Sequence, residues 1–333
     1  MTIHCYAAPE AKADLQSHAY QADSLGPFDV EVAITHCGIC HSDIHLIDND
    51  WGISSYPLVP GHEIVGAVRQ RGAEIKHLAI GQRVGVGWQC GSCLQCEWCL
   101  QGDDHCCPGQ QATCVGRPGG FAEAIRVDGR FAHPIPDGLA SERAAPLLCA
   151  GITVYAPLEA GVRATSRVGI IGVGGLGHLA IQFAAAFGCE VTAFSTTPAK
   201  EDEARRLGAR HFVVTGDGRP MAGATGSLDF LLSAVTVPLD WSAWLDLLRP
   251  KGTLCIVGAS PGTLGVSPFA LIRGKKAIVG SGIGNRASLR EMLEFAARHR
   301  ISAQVEVMSM GEVNAALRRV RENRARYRIV LAN

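Results

Sequence analysis

A chain of 333 residues with 47% hydrophobic content is long enough to bury two cores, so it does not need covalent staples to fold. Lys plus Arg and Asp plus Glu balance at 31 each, which gives the whole chain no pull toward nucleic acid or an anionic membrane. Thirteen cysteines cannot all pair, and the opening MTIHCYAAPEAKADL lacks a basic region, an apolar core and a small-residue cleavage site, so a cytosolic chain with reduced thiols is expected.

From about Pro27 to Ile135, short β-branched runs (DVEVAI, EIVGAV, QRVGVG, FAEAIRV) separated by Gly, Pro and polar clusters predict a compact all-β region. Within it, CGSCLQCEWC at 90–99 puts a cysteine at every third position, and HCC follows at 105–107. Such a cluster suits a disulfide framework, an iron–sulfur site or a zinc site, and a reducing compartment disfavours the first. From about Ala150 to Ile283 the texture becomes RVGIIGVG, LGHLAIQFAAAFG, EVTAFST, AKEDEARRLGA, HFVVTG, DFLLSAV, GTLCIVGA and KKAIVGSG. Strand and helix in alternation predict a parallel sheet with helices on both faces. The remainder reads as helix LREMLEFAARHR, strand AQVEVMSM, helix GEVNAALRRVRE and a final strand YRIVLAN. The longest apolar stretch, 168–187, approaches the length of a membrane span, but its glycines, His178 and Gln182 fit a strand, a turn and a helix better. The basic run RRVRENRARYR, 318–328, reads as the solvated face of a last helix and not as a phosphate-binding strip.

GVGGLG places Gly172, Gly174 and Gly177 in G-x-G-x-x-G spacing, after the strand RVGII and before a helix whose Leu176, Leu179, Ala180, Phe183 and Phe187 recur at helical spacing. The glycines permit a tight turn, a pyrophosphate against bare backbone and a helix close to the sheet, so Gly172, Gly174, Gly175, Leu176 and Gly177 are candidate cofactor contacts. At the end of the second strand, where an acidic residue would hold the ribose hydroxyls of NAD, the sequence reads FSTTPAK. Ser195, Thr196 and Thr197 are neutral donors and Lys200 is a cation, a set suited to a 2′-phosphate, so NADPH is expected over NADH. The competing reading is that the hydroxyls start the next helix, with Thr197 before Pro198 as its N-cap.

Outside the cluster, CGICHSDIH carries Cys37, Cys40, His41, Asp43 and His45, PGHEIVG carries His62 and Glu63, and LLCAGITVY carries Cys149. Singly, such residues are commonly packing or surface groups. Together with YPLVPGHEIVG, GVGGLGHLA and RYRIVL, and spanning about Asp29 to Leu331, they resemble the zinc-dependent alcohol dehydrogenases of the medium-chain dehydrogenase/reductase superfamily. The resemblance is closest to the cinnamyl alcohol dehydrogenase branch and its bacterial NADPH-dependent, broad-specificity aldehyde reductases. It implies an α/β chain with a GroES-like β-barrel catalytic domain, 1–149 and 286–333, and an inserted Rossmann NADP-binding domain with a doubly wound parallel sheet, 150–285.

The resemblance also implies two zinc ions per chain. Cys40, His62 and Cys149 match the catalytic ligands, the Cys₂His set with an open fourth position for which alcohol dehydrogenase is the standing example. Glu63 matches an acidic residue that can approach that ion, and Asp43 a carboxylate that orients the histidine. For the structural ion, the family spacing C-x₂-C-x₂-C-x₇-C fits Cys93, Cys96, Cys99 and Cys107, which leaves Cys90, Cys106 and Cys114 unassigned.

The implied activity is reversible reduction of aldehydes by NADPH, with a proton passing through Ser42, the nicotinamide ribose and His45. His41 and Arg328 match pyrophosphate contacts, and Thr153 a nicotinamide contact. Trp51 matches a substrate-pocket position, and with Trp88 and Ile283 as apolar neighbours it suits an aliphatic or aromatic aldehyde. A homodimer through the Rossmann sheet is the family expectation, with no nucleic-acid or membrane partner. Two rivals differ in class: a zinc-independent quinone or enone reductase of the same superfamily, disfavoured by the ligand triad, and a non-catalytic NADPH or redox sensor built on the cysteines.

Overall fold

The strand Asp29–Ile39 organises the first of two compact units, Met1–Ile152 with Gly284–Asn333, in a computed structural model that describes residues 1–216, 225–259 and 262–333. Val30, Val32 and Ile34 alternate along it and bury one face, as the two-residue period of a strand dictates. Glu31, between them, is also sealed from solvent, where Arg69 and Arg126 both pair with its carboxylate.

One edge of this strand pairs antiparallel with Glu63–Arg71. The other edge is shared, Ala124–Asp128 pairing with its first half and Arg328–Ala332 with its last residues. Arg83–Val86 and His133–Pro134 extend the sheet on one side and Val305–Ser309 on the other. The chain after Gly284 therefore supplies two strands to a sheet begun near residue 29, and Glu63 and Arg328 enter it from opposite edges of one strand. An N-terminal hairpin, Thr2–Ala7 with Gln16–Gln21, lies ahead of the point where the sequence pattern begins. Its polar, half-exposed second strand QSHAYQ carries no apolar alternation to betray it.

The second unit, Thr153–Ile283, holds six parallel strands in the order His211–Val214, Glu190–Ser195, Arg167–Ile171, Leu228–Ser233, Leu248–Ile256, Ala277–Gly280. This is the doubly wound order, whose crevice for ligands opens at the carboxyl ends where the winding reverses, between Arg167–Ile171 and Leu228–Ser233. Phe194 and Trp244 meet edge to face at 5.0 Å on its core, each ring contributing about 2–3 kcal/mol of burial. The stretch 168–187 divides into the strand Arg167–Ile171 and the helix Gly177–Ala186, and among the described residues no single helix is long and apolar enough to cross a membrane. AKEDEARRLGA gives a shorter helix than its pattern suggests, Glu201–Arg206, because Pro198 opens a 3₁₀ turn before it and Gly208, at φ +112°, follows it. All thirteen cysteines are free thiols, so no disulfide framework exists.

Candidate active site

Three separate segments of the first unit bring Cys40, His62, Glu63 and Cys149 together, with their donor atoms all within 4.8 Å of one another and all four residues buried. Cys40 follows the strand Asp29–Ile39 and is the N-cap of the helix His41–Asp48; His62 immediately precedes the strand Glu63–Arg71, which Glu63 opens; Cys149 directly follows the 3₁₀ turn Ala145–Leu148. The His62 ring nitrogen Nε2 lies 3.3 Å from Cys149 Sγ.

Asp43 fixes that ring. Its Oδ1 accepts from His62 Nδ1 and from the Gly61 amide, each at 2.9 Å, and its Oδ2 accepts from the Cys40 amide at 2.8 Å. Nδ1 is thereby the protonated nitrogen and Nε2 is left to face the thiols. Burial works against a charged imidazole, but the Asp43 carboxylate and Cys149 outweigh it and raise the His62 pKa well above its usual value. The Cys149 thiol hydrogen-bonds to the Cys40 sulfur and holds Cys40 well below the usual thiol range against the cost of its burial. Glu63 is pushed up to about 7 by burial, with the Arg328 guanidinium pulling the other way.

Two cysteine sulfurs, the imidazole Nε2 and one carboxylate, dry and convergent, form a donor set suited to zinc. Glu63 adds an observation of its own, since Oε1 accepts from Arg328 while Oε2, equally buried, has no hydrogen-bond partner. Arg328, a candidate pyrophosphate contact by resemblance, is itself buried and paired with Glu63. Cys114, left unassigned by its spacing, lies with Asp43 and His62, all donor atoms within 4.8 Å. Because Asp43 already accepts three hydrogen bonds, this second trio reads as support for the His62 ring and not as another metal centre.

Cys93, Cys96, Cys99 and Cys107 form a second cluster within 4.8 Å. Cys93 Sγ lies 3.4 Å from Cys107 Sγ and 3.9 Å from Cys99 Sγ, and the amides of Cys96 and Gly109 donate to Cys93 and Cys107 at 3.3 and 3.2 Å. Four thiols with amide donors aimed at the sulfurs fit a closed tetrahedral zinc site. Cys90 is elsewhere: its thiol donates to the Gln111 carbonyl and accepts from Arg117, each at 3.4 Å.

The helix His41–Asp48 carries Ser42 and His45 three positions apart, hence on one face. Ser42 Oγ is 3.6 Å from Cys40 Sγ, and His45 Nδ1 is 2.7 Å from the Asp50 carboxylate. Asp50 escaped the sequence reading because a lone acid in a turn carries no signature. Trp51 joins two parts of the site, tilted 5.2 Å from the His45 ring and edge-on at 6.1 Å to Trp88, which in turn meets His62 edge-on at 5.0 Å. His41 is exposed at the first turn of the same helix. Ile283 is the last residue of the second unit.

In the second unit the glycine turn behaves as its spacing predicts. Gly172 sits at φ +91°, and a Cβ on Gly177 would stand 1.8 Å from the Gly172 carbonyl oxygen, so neither position accepts a side chain. A Cβ on Gly174 would meet no protein atom within 4 Å, the open approach that a pyrophosphate needs. Gly175 and Leu176 complete the turn, and Leu176 caps the helix Gly177–Ala186 with no side-chain bond. His178, buried, holds the turn from inside by donating from Nδ1 to the Gly174 carbonyl at 3.0 Å. The FSTTPAK segment folds against the same turn, Lys200 Nζ donating to the Val173 carbonyl at 2.6 Å. Ser195 Oγ accepts from the Thr197 amide at 3.1 Å, whereas Thr196 and Thr197 are exposed and the Thr197 side chain makes no capping bond. Thr153, buried, lies in the helix Ala150–Gly161.

Comparison with known proteins agrees with this geometry. Residues 26–137 match the alcohol dehydrogenase GroES-like domain and residues 175–298 the zinc-binding dehydrogenase family. The chain is 41% identical over 332 residues to aldehyde reductase AdhA of Synechocystis sp., covering 99% of each protein. Its fold superposes on a cinnamyl alcohol dehydrogenase of Sorghum bicolor with a TM-score of 0.94 at 38% identity, covering 100% of this chain and 98% of the other. It superposes with a TM-score of 0.91 at 30% identity, covering 100% and 98%, on the Helicobacter pylori cinnamyl alcohol dehydrogenase complexed with NADP(H). A GroES-like unit, a six-stranded Rossmann sheet, two thiol-rich donor sets and relatives of this identity along its whole length place the chain among the zinc-dependent medium-chain alcohol dehydrogenases, in their cinnamyl-alcohol-dehydrogenase-like branch, as an alcohol dehydrogenase/aldehyde reductase.

Proposed function

We propose that this protein reduces aliphatic and aromatic aldehydes to primary alcohols with NADPH and catalyses the reverse oxidation. The observation that carries the reading is the dry Cys40, His62 and Cys149 donor set, flanked by Trp88 and sharing one unit with Ser42, His45 and Asp50. When bound, zinc supplies a Lewis acid and NADPH a hydride, the chemistry the side chains lack.

The chain's own residues do the rest. Cys40, His62 and Cys149 would hold the catalytic ion, with Glu63 a further donor in the same cluster, and Cys93, Cys96, Cys99 and Cys107 would hold a structural ion. Asp43 holds Nδ1 of His62 and so aims Nε2 at the two cysteine sulfurs. Ser42 donates or accepts the proton of the substrate oxygen, and His45, its ring steadied by Asp50, exchanges that proton with solvent. Trp51 and Trp88 offer apolar walls that favour an uncharged aldehyde.

Lys200, Thr196, Ser195 and Thr197 beside the glycine turn supply a cation and hydroxyls for a 2′-phosphate, with no carboxylate in the segment 194–200. His41 and Thr153 are assigned to the cofactor, and Arg328 to holding Glu63. The NADP(H) in the Helicobacter relative and the aldehyde reductase name of the Synechocystis one support the same reading. A homodimer through the Rossmann sheet suits the edge strand Ala277–Gly280, where Val279 is exposed, and the exposed Phe269 and Ile272 of the helix Pro268–Ile272. Initial rates with NADPH and with NADH over a panel of aliphatic, aromatic and anionic aldehydes test the proposal; preference for NADPH and for the uncharged aldehydes is expected, and equal use of the cofactors or no turnover of any aldehyde contradicts it.

A further inference from the structure

The helix His41–Asp48 carries Ser42 and His45 in only eight residues, too few to stay wound in water without outside support. Its first turn is held by Asp43, as described. Its last turn is held by a separate set of contacts. Asn49, in the left-handed region at φ 57°, turns the chain so that its own amide and that of Asp50 reach the Leu46 and His45 carbonyls at 3.2 and 2.9 Å. Ser54 Oγ donates to the Leu46 carbonyl at 2.6 Å and the Tyr56 hydroxyl to the Ile47 carbonyl at 2.9 Å.

One residue works against this end. Asp48 puts a negative charge on the last turn, where the helix dipole is already negative, and a second acid, Asp50, follows two residues later. Arg321 answers both. It ends another helix, Val313–Arg321, and its guanidinium grips Asp48 in bidentate fashion, Nη2 donating to Oδ1 at 2.7 Å and Nη1 to Oδ2. Asp50 and Asp14 lie within its electrostatic reach. The Asp48 side chain is 13% exposed, so water screens little of its charge.

We propose that Arg321 is a positioning residue for proton transfer: by offsetting Asp48, it keeps the last turn of the His41–Asp48 helix wound and so holds His45, three residues before Asp48, against Asp50, two residues after it. This rests on the reading that His45 passes the proton. The reaction sets the consequence. Without the guanidinium, Asp48 repels the carbonyl end of its own helix and the Asp50 carboxylate, the turn loosens, and the His45 ring loses the 2.7 Å contact that orients it.

The test is the single-turnover rate of alcohol oxidation, with the KM values for alcohol and NADP⁺ and the zinc content, in Arg321→Met, Arg321→Lys, Asp48→Asn, the Arg321→Met/Asp48→Asn double variant and His45→Gln. Arg321→Met should slow the step about tenfold, a part of what proton transfer by a positioned side chain contributes, with KM values and zinc unchanged. Arg321→Lys should fall in between. Asp48→Asn on the Arg321→Met background should restore most of the rate, because the charge that needed offsetting is gone; a bridge valued only for its bonds would stay broken there. A wild-type rate in Arg321→Met, or a double variant as slow as the single one while His45→Gln is impaired, overturns the role of Arg321. A wild-type rate in His45→Gln overturns the proton-transfer reading beneath it.

Discussion

Arg328 and Glu63 stand 265 positions apart in the chain and meet as a buried ion pair, the guanidinium from the last strand of the first unit donating to a carboxylate adjacent to His62. A buried charge stripped of its partner is costly, whereas removing both partners is much less so. Arg328→Met should therefore destabilise the protein to urea by about 3 kcal/mol, and Glu63→Gln on that background should recover a good part of it. A single variant as stable as the native protein would show that the pair is not formed.

His133 gives stability a pH dependence of predictable sign. Burial, helped by the nearby Arg290 and Arg286, lowers its pKa from 6.5 to about 3. The folded state then binds its proton less readily than the unfolded chain, so the contribution is fully present above pH 6.5 and is lost as the pH falls toward 3. Between pH 8 and 5 this amounts to about 2 kcal/mol. In urea titrations across that range, His133→Gln should flatten the pH dependence by that amount; an unchanged slope would mean that His133 is not held neutral.

The two thiol clusters predict two different losses. Cys149→Ser should abolish turnover while leaving the fold and NADPH binding in place, because it removes one donor from a site that the sheet positions independently. Cys93→Ser should lower unfolding stability by about 4 kcal/mol or more, the range that loss of a structural metal reaches. Thermal melts, cofactor titration and metal analysis of both variants separate the cases. Equal loss of stability in the two would contradict the division of roles.

Cofactor choice is testable at the exposed Thr196. Thr196→Asp brings a carboxylate to where a 2′-phosphate would lie, next to the loop held by Lys200, and should weaken NADPH relative to NADH by about tenfold, or 1.4 kcal/mol. An unchanged ratio of kcat/KM for the two cofactors would remove the argument built on FSTTPAK.

What was legible in the sequence had short reach. Gly172, Gly174 and Gly177 write their turn within six residues, so spacing alone prepared its geometry, whereas Cys93, Cys96, Cys99 and Cys107 gather within fifteen but were told apart from Cys90 and Cys106 only by the family spacing that the resemblance implies. Cys40, His62 and Cys149 became a set only through resemblance, since three segments of the chain must fold before they meet. Asp50, His178 and Cys114 were not foreseen at all. Each acts by touching one other residue, His45, Gly174 or His62, and no pattern of residue types marks such a contact in advance. For Arg328 the family position suggested a ligand, and the fold supplied a carboxylate from the opposite edge of a strand. Elsewhere in the basic run 318–328 the cations are paired with carboxylates, Arg318, Arg319, Arg321 and Arg324 with Asp14, Glu306, Asp48 and Glu322, while Val320 and Tyr327 between them are buried.

The most direct test of the central claim is aldehyde-dependent NADPH oxidation by one preparation in three states, native, chelator-treated and reloaded with zinc, with zinc per chain measured in each. Two zinc per chain in the native protein, turnover lost on chelation and regained on reloading are the predicted results. Full aldehyde turnover by protein shown to hold no zinc would contradict the claim that Cys40, His62 and Cys149 form the catalytic centre.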